Sequence, residues 1–138
     1  MALNNKSELR KQYLDKRKAL APADCQRDSA LMLLRAATAI EQSLPVEFGP
    51  PTTIKPPHEA AGEVLLELGR FAEAEAEFRL TLARTPRRTM ALLGLARAAK
   101  GQGKPDEAAR TYAELVEIWK RADDGIAEVA EARAGARP

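Results

Sequence analysis

Hydrophobic and polar positions divide the chain into three zones. Residues 1–43 and residues 58–138 carry helical patterns of apolar positions, whereas residues 44–57 are rich in proline. Each proline lacks an amide donor and disfavours helix at the residue before it. The pattern therefore predicts an N-terminal helical segment, a semi-rigid linker over 44–57 and a C-terminal helical domain.

The N-terminal zone predicts two helices separated by the Ala21–Pro22 step. The first begins near Ser7 and ends near Leu20, with an apolar stripe of Leu9, Tyr13 and Leu20. The second begins near Pro22, since proline is favoured at a first helical position, and ends near Ser43. Its section from Ala30 to Ile40 is apolar on most faces, which predicts burial on more than one side.

The C-terminal zone contains an internal repeat with a period of 34 residues. Four residues recur at that offset: Glu73 as Glu107, Gly69 as Gly103, Ala74 as Ala108, and Phe78 as Tyr112. The physical interpretation is a helical hairpin used twice. Glycine breaks the chain between two antiparallel helices, alanine permits their close crossing, and the aromatic ring fills the groove between them.

Composition narrows the class of protein. The 138 residues are 45% hydrophobic, 30% charged and 4% aromatic, with a formal net charge of +2, which is typical of a soluble helical protein. Cys25 and His58 are the only cysteine and histidine, so an internal disulfide and a thiolate zinc cage are excluded, and we do not expect a histidine-based catalytic triad. No run approaches the roughly 20 apolar residues of a membrane span. We therefore expect a cytoplasmic protein with no metal and no membrane partner.

Several residues that suggest chemistry have a simpler interpretation. Glu73, Glu75 and Glu77 alternate on a helix and so diverge by about 200°, which favours solvated charges over a catalytic pair. For His58 we expect a surface or first-turn position, and for Tyr112 and Trp119 a place in the core. The basic N-terminal segment lacks a nucleic-acid motif, so a solvated helix face is favoured over nucleic-acid binding.

The repeat resembles the tetratricopeptide repeat (TPR) over about residues 54–122. The matching positions are Gly62, Gly69, Ala74, Phe78 and Pro86 in the first unit, and Leu95, Ala96, Gly103, Ala108 and Tyr112 in the second. Thr81, Leu115 and Lys120 depart from the motif. The strings FGPPTTIKPPHEAAGEVLLELGR, LARTP and LLGLARAA also resemble the C-terminal part of larger bacterial TPR proteins.

This resemblance implies an all-α fold of antiparallel helix-turn-helix pairs, about two repeats in number. One or two N-terminal helices precede them, and a C-terminal capping helix follows Asp123 with Ile126, Val129 and Ala130 as its apolar points.

The resemblance also implies a function, which is that of a protein-protein interaction module or scaffold without catalysis. Its concave face, built from the first helix of each repeat, would expose these partner-binding positions: Glu59, Glu63, Leu66, Met90, Leu93, Arg97 and Lys100. Their charge runs from acidic through apolar to basic, which suits a protein or peptide partner bound in one direction. Because two repeats bury little surface, a homo-oligomer is a further expectation.

A different resemblance covers residues 6–30. The string KSELRKQYLDKRKALAPADCQRDSA is similar to the start of 5-formyltetrahydrofolate cyclo-ligase, a folate enzyme that uses ATP and magnesium. By that resemblance, Lys6 and Arg10 occupy phosphate-binding places. The alternative function is therefore a truncated or fused remnant of that enzyme with ATP contacts in its N-terminal helix. The leading hypothesis requires neither catalysis nor a cofactor.

Overall fold

The structure, a computed structural model, describes Lys11, Asp15 and residues 22–43, 55–123 and 125–137. The helix expected over Ser7–Leu20 lies outside the described residues apart from Lys11 and Asp15, which are helical and exposed. Most of the expected linker lies outside them as well.

The described part of the chain is all-α and contains no strand. Its helices, in chain order, are α1 (Pro22–Ser43), α2 (Pro57–Glu67), α3 (Phe71–Arg84), α4 (Thr89–Gly101), α5 (Pro105–Ile118) and α6 (Ala127–Gly135). The predicted all-α class is confirmed, as are the bounds of the second N-terminal helix. None of the described helices is long and apolar enough to cross a lipid bilayer.

Glycine turns join α2 to α3 and α4 to α5. Gly69 and Gly103 have φ angles of 70° and 72°, in the left-handed region that a side chain disfavours. The Arg70 amide donates to the Leu65 carbonyl at 2.9 Å, and the Lys104 amide repeats this bond to Ala99 at 3.0 Å. Both turns are therefore Schellman caps, which end one helix and reverse the chain within three residues. The expected glycine turns are confirmed.

Consecutive helices pack on one another along the chain, and α2 also contacts α4. Two apolar clusters result, and α4 contributes one face to each. Ala91, Leu95 and Ala98 join Phe78 in the first cluster. The second cluster contains residues of α4, α5 and α6: Leu92, Leu93, Ala96, Ala99, Ala108, Tyr112, Leu115 and Ala132. The α4 helix is therefore the centre of the stack, surrounded on most sides.

The recurring aromatic residues pack against glycine backbones. The Phe78 ring is fully buried between Gly62 and Gly94, where an added Cβ would lie 2.8 Å and 2.2 Å from it. The Tyr112 ring similarly lies against Gly135 of α6. The predicted core positions of Phe78 and Tyr112 are confirmed, and Trp119 packs, half-buried, at the edge of the second cluster.

The terminal helices depart from expectation in detail. Leu31 of α1 is buried in the first cluster, but Met32, Leu33 and Ile40 are 69%, 74% and 63% exposed, so burial of α1 on several sides was wrong. The helix packs along one side, mainly against α2, and forms polar contacts with α3. The final helix forms as predicted, and Val129 is buried with Ala132. Ile126 and Ala130 face solvent instead, since Ile126 precedes the first turn of α6 and Ala130 points away from α5.

Candidate binding groove

A shallow groove lies between the first helices of the two hairpins, α2 and α4. Its central depression has a volume of about 460 Å³ and is lined by Glu63, Leu66, Glu67, Phe71 and Arg97. Glu63, Leu66 and Arg97 were expected here from the sequence, and the fold brings all three together. We call the surface formed by these five residues the α2–α4 groove.

Two of the expected partner-binding residues are not exposed, and their placement on the surface was wrong. Glu59 is 1% exposed, and its carboxylate accepts hydrogen bonds from Arg88 Nε at 2.5 Å and Arg88 Nη2 at 3.0 Å. This bidentate pair ties the first turn of α2 to the residue that precedes α4. Leu93 is fully buried in the second cluster. Because α4 contacts neighbours on most sides, the strip it exposes is narrower than the repeat pattern predicts.

The α2 wall of the groove is acidic with an apolar floor. Glu63 is half-buried and forms an ion pair with Lys55, whereas Glu67 is exposed and pairs with Arg27 of α1 at 3.3 Å. Leu66 is half-buried beside the first cluster, and Phe71, which opens α3, is half-buried next to it. The repeat pattern did not identify Glu67 and Phe71 as groove residues, because both flank the turn at Gly69 and lie outside the exposed positions expected of α2 and α4.

The α4 wall is basic. Arg97 donates from Nη2 to Glu131 Oε2 of α6 at 2.6 Å, and the Tyr112 hydroxyl donates to the other oxygen of that carboxylate at 2.8 Å. The bond from Arg97 lowers the pKa of Glu131, whereas burial raises the pKa of Tyr112. Glu131 is therefore ionised at neutral pH, and this network holds the Arg97 guanidinium at the edge of the groove. Lys100 is exposed one turn further along α4.

Met90 lies at the other end of the exposed strip of α4 and is 39% exposed. It stands seven residues before Arg97, hence on the same helix face. Between Met90 and Arg97, this face of α4 is covered: Leu93 is buried, and the backbone of Gly94 contacts the Phe78 ring. Met90 is thus on the predicted face of the helix but outside the central depression.

His58 lies in the first turn of α2, which is one of the two positions expected for it, but it is buried and not on the surface, because α1 covers this turn. His58 is 2% exposed; its Nδ1 lies 2.5 Å from Glu77 Oε2 and its Nε2 lies 3.2 Å from Gln42 Nε2. A carboxylate, an imidazole and a further group in line are the beginning of a catalytic relay. Here, however, the second ring nitrogen meets an amide and not a hydroxyl or thiol. The cluster has the geometry of a structural joint between α1, α2 and α3.

The three alternating glutamates of α3 point in different directions, as their spacing predicts. Glu73 is an exposed surface charge, but the expectation of solvation is wrong for Glu75 and Glu77. Glu75 accepts bonds from Gln102 at 2.6 Å, Arg79 at 2.7 Å and Lys104 at 3.1 Å. Those bonds, that from Gln102 first, lower the pKa of Glu75 to about 2. The carboxylate links the first hairpin to the second.

The phosphate-binding residues expected by the second resemblance, Lys6 and Arg10, lie outside the described residues. Within residues 22–43, 55–123 and 125–137, no group of three or more histidine, cysteine or acidic side chains is arranged to hold a metal ion. The expectations concerning ATP, magnesium and cofactors stay predictions.

Comparison of the chain with protein-family models, with curated proteins and with solved structures found no match in any of the three. The two family resemblances therefore stay predictions.

Proposed function

We propose that the protein is a TPR-like interaction module that binds a peptide segment of a partner protein in the α2–α4 groove. The observation that carries this proposal is the charge arrangement around an apolar floor. Glu63 and Glu67 line the depression from α2, and Leu66 and Phe71 supply its apolar lining. Arg97 lines it from α4, with Lys100 exposed one turn further along that helix. Half-buried apolar side chains supply affinity, and opposite charges on the two walls orient the ligand.

The chemistry of the groove suits a ligand with one apolar anchor flanked by charges of opposite sign. A basic ligand residue would meet Glu67, and an acidic one would meet Lys100. Both of these side chains are exposed on helices. The groove is small and open, so we expect dissociation constants on the order of 10–100 µM for a short peptide.

Selection from a random 12-residue peptide display library against the intact protein tests this proposal. We expect enriched peptides to carry an apolar residue between a basic and an acidic one. Their binding, measured by titration calorimetry with synthetic peptides, should weaken at least about tenfold in the double variant Glu67→Lys/Lys100→Glu. Glu114→Lys, a charge reversal on the exposed side of α5, is the matched control and should bind as the native protein does.

A peptide titration followed by amide chemical shifts locates the binding surface. Shifts should concentrate at Leu66, Phe71 and Arg97. The proposal fails if no peptide is enriched above background, or if the double variant and the control bind the selected peptides equally.

A further inference from the structure

The outer face of α1 is an apolar strip that the rest of the described chain leaves uncovered. Met32, Leu33 and Ile40 are 69%, 74% and 63% exposed, and the other positions on this face are also exposed: Ser29, Ala36, Ala39 and Ser43. We call these seven residues the α1 strip. They recur with spacings of three and four residues, so they form one continuous stripe along the helix.

No charged side chain interrupts the α1 strip. Two basic residues of α1 are turned towards the hairpin, where Arg27 pairs with Glu67 and Arg35 pairs with Glu73. The exposed positions of α5, in contrast, carry Asp106, Arg110, Glu114 and Glu117. An uncharged stripe with three large apolar side chains on an exposed helix is the signature of an interaction surface.

The α1 strip is nearly symmetric about Ala36. Serine stands seven residues away in both directions, at 29 and 43, and apolar residues stand three and four residues away in both directions. Because of this symmetry, the strip is complementary to a second copy of itself that packs on it in the antiparallel direction. With Ala36 at the crossing, Leu33 lies beside Ile40 of the second copy and Met32 lies beside its Ala39. The small alanine lets the helix axes approach to about 8 Å.

We therefore propose that the α1 strip is the interface of a two-fold symmetric dimer, in which α1 packs antiparallel on α1 of a second copy of this chain. The polar ends of the strip do not oppose this packing, since the Ser43 hydroxyl already donates to the Ile40 carbonyl at 2.6 Å. A self-complementary patch is what two-fold symmetry requires.

The size of the strip sets the strength of the dimer. Residues 29–43 span about 21 Å of helix, and two such helices bury on the order of 800 Å² in total. Tight, specific interfaces bury about 1,200 Å² or more. The dimer is accordingly weak, with a dissociation constant of about 10–100 µM, and its population rises with protein concentration.

Sedimentation equilibrium of the full chain between about 1 and 500 µM tests the proposal. The mass should rise from 15.0 kDa towards twice that value. Leu33→Lys/Ile40→Lys and Leu33→Glu/Ile40→Glu should each stay monomeric, with association weakened at least about 100-fold, and an equimolar mixture of the two should associate again. Leu80→Lys, on the outer side of α3 where Leu80 is 42% exposed, is the control and should dimerise normally.

Cysteine cross-linking in a Cys25→Ser background tests the direction of the helices. Ala36→Cys should form a disulfide-linked dimer on oxidation. Ser29→Cys should not react with itself but should react with Ser43→Cys. The proposal would be overturned if the native chain stays monomeric throughout the concentration range. The same conclusion would hold if the chain is monomeric because its N-terminal segment covers the strip. Efficient self-linking of Ser29→Cys would overturn the antiparallel arrangement.

Discussion

Replacing Gly94 by alanine probes the packing of Phe78 most directly. A Cβ at this position would lie 2.2 to 2.6 Å from three atoms of the Phe78 ring. The ring is fully buried, and Gly62 closes its other side at about the same depth, where an added Cβ would come within 2.8 Å. The ring therefore has no free space into which it can move.

The expected loss of stability follows from two opposing contributions. Alanine improves helix propensity over glycine by about 1 kcal/mol. Overpacking an enclosed site costs about 1–3 kcal/mol, and the closeness of this contact favours the upper end. We expect Gly94→Ala to lower the free energy of unfolding by about 2 kcal/mol, which corresponds to a decrease of about 6–10 °C in Tm for a chain of this size.

Gly101→Ala is the matched control on the same helix. Its Cβ would lie 2.5 Å from the Phe71 ring, but Phe71 is half-buried at the edge of the groove, so we expect a change in its χ1 angle to relieve the contact. Thermal unfolding followed by circular dichroism should show Gly101→Ala to be neutral or stabilised by up to about 1 kcal/mol. In the double variant Phe78→Leu/Gly94→Ala, the two losses should fall short of additivity by at least about 1 kcal/mol. An unchanged or raised Tm for Gly94→Ala would refute the packing argument.

Three further predictions concern polar and backbone features. Glu59→Gln should lower the free energy of unfolding, measured in urea, by about 1–3 kcal/mol, because it leaves Arg88 with a neutral partner in a half-buried site. A loss below about 0.5 kcal/mol would show that the ion pair contributes nothing to stability. The folded-state pKa of Glu75, about 2, is below its ordinary value, so its ion pairs stabilise the fold above about pH 4.5 and stop doing so as pH falls to 2. The deficit of Glu75→Gln, about 1–3 kcal/mol at pH 7, should therefore vanish near pH 2 in acid unfolding series, whereas a constant deficit would contradict this linkage. Gly103→Ala should lower the free energy of unfolding by about 1 kcal/mol through backbone strain alone, since no atom lies near its Cβ position. Arg87 has a φ of 63°, so Arg87→Gly should be neutral or slightly stabilising in the same thermal melts. An unchanged Tm for Gly103→Ala would argue against the left-handed turn.

The sequence predicted those features that local chemistry determines. Prolines near both ends predicted the bounds of α1, and the glycines at 69 and 103 predicted the two left-handed turns. The 34-residue offset located Phe78 and Tyr112 in the core. Each of these features depends either on residues that lie within a few positions of one another or on a motif that occurs twice in the chain.

Features that depend on a third element could not be read from the sequence. His58 is buried because α1 covers it, and its partners Gln42 and Glu77 are 16 and 19 residues away. Glu59 is buried because Arg88, 29 residues later, pairs with it. The periodic pattern of apolar positions gives no information about such pairings between polar side chains that are distant in sequence. Leu93 was misplaced for a related reason, since helical periodicity gives the direction of a face and not how closely its neighbours crowd it.

The ion pairs on the outer side of the stack show how α1 is docked. At the start of α3, Glu73 binds Arg70, three residues earlier, and Arg35 of α1, two helices earlier. At the start of α5, Glu107 lies near Lys104, again three residues earlier, and binds Arg79 of α3, again two helices earlier.

The same arrangement of charges is thus used twice, so α1 is held on the first hairpin in the way that α3 is held on the second. In this arrangement, α1 takes the place of the second helix of a preceding hairpin. A helix in that place has one side that packs on the next hairpin, and this is the side that buries Leu31. Its outer side carries the α1 strip, which makes no packing contact within the described part of the chain. The position of α1 in the stack therefore explains why an exposed helix carries large apolar residues on its outer face.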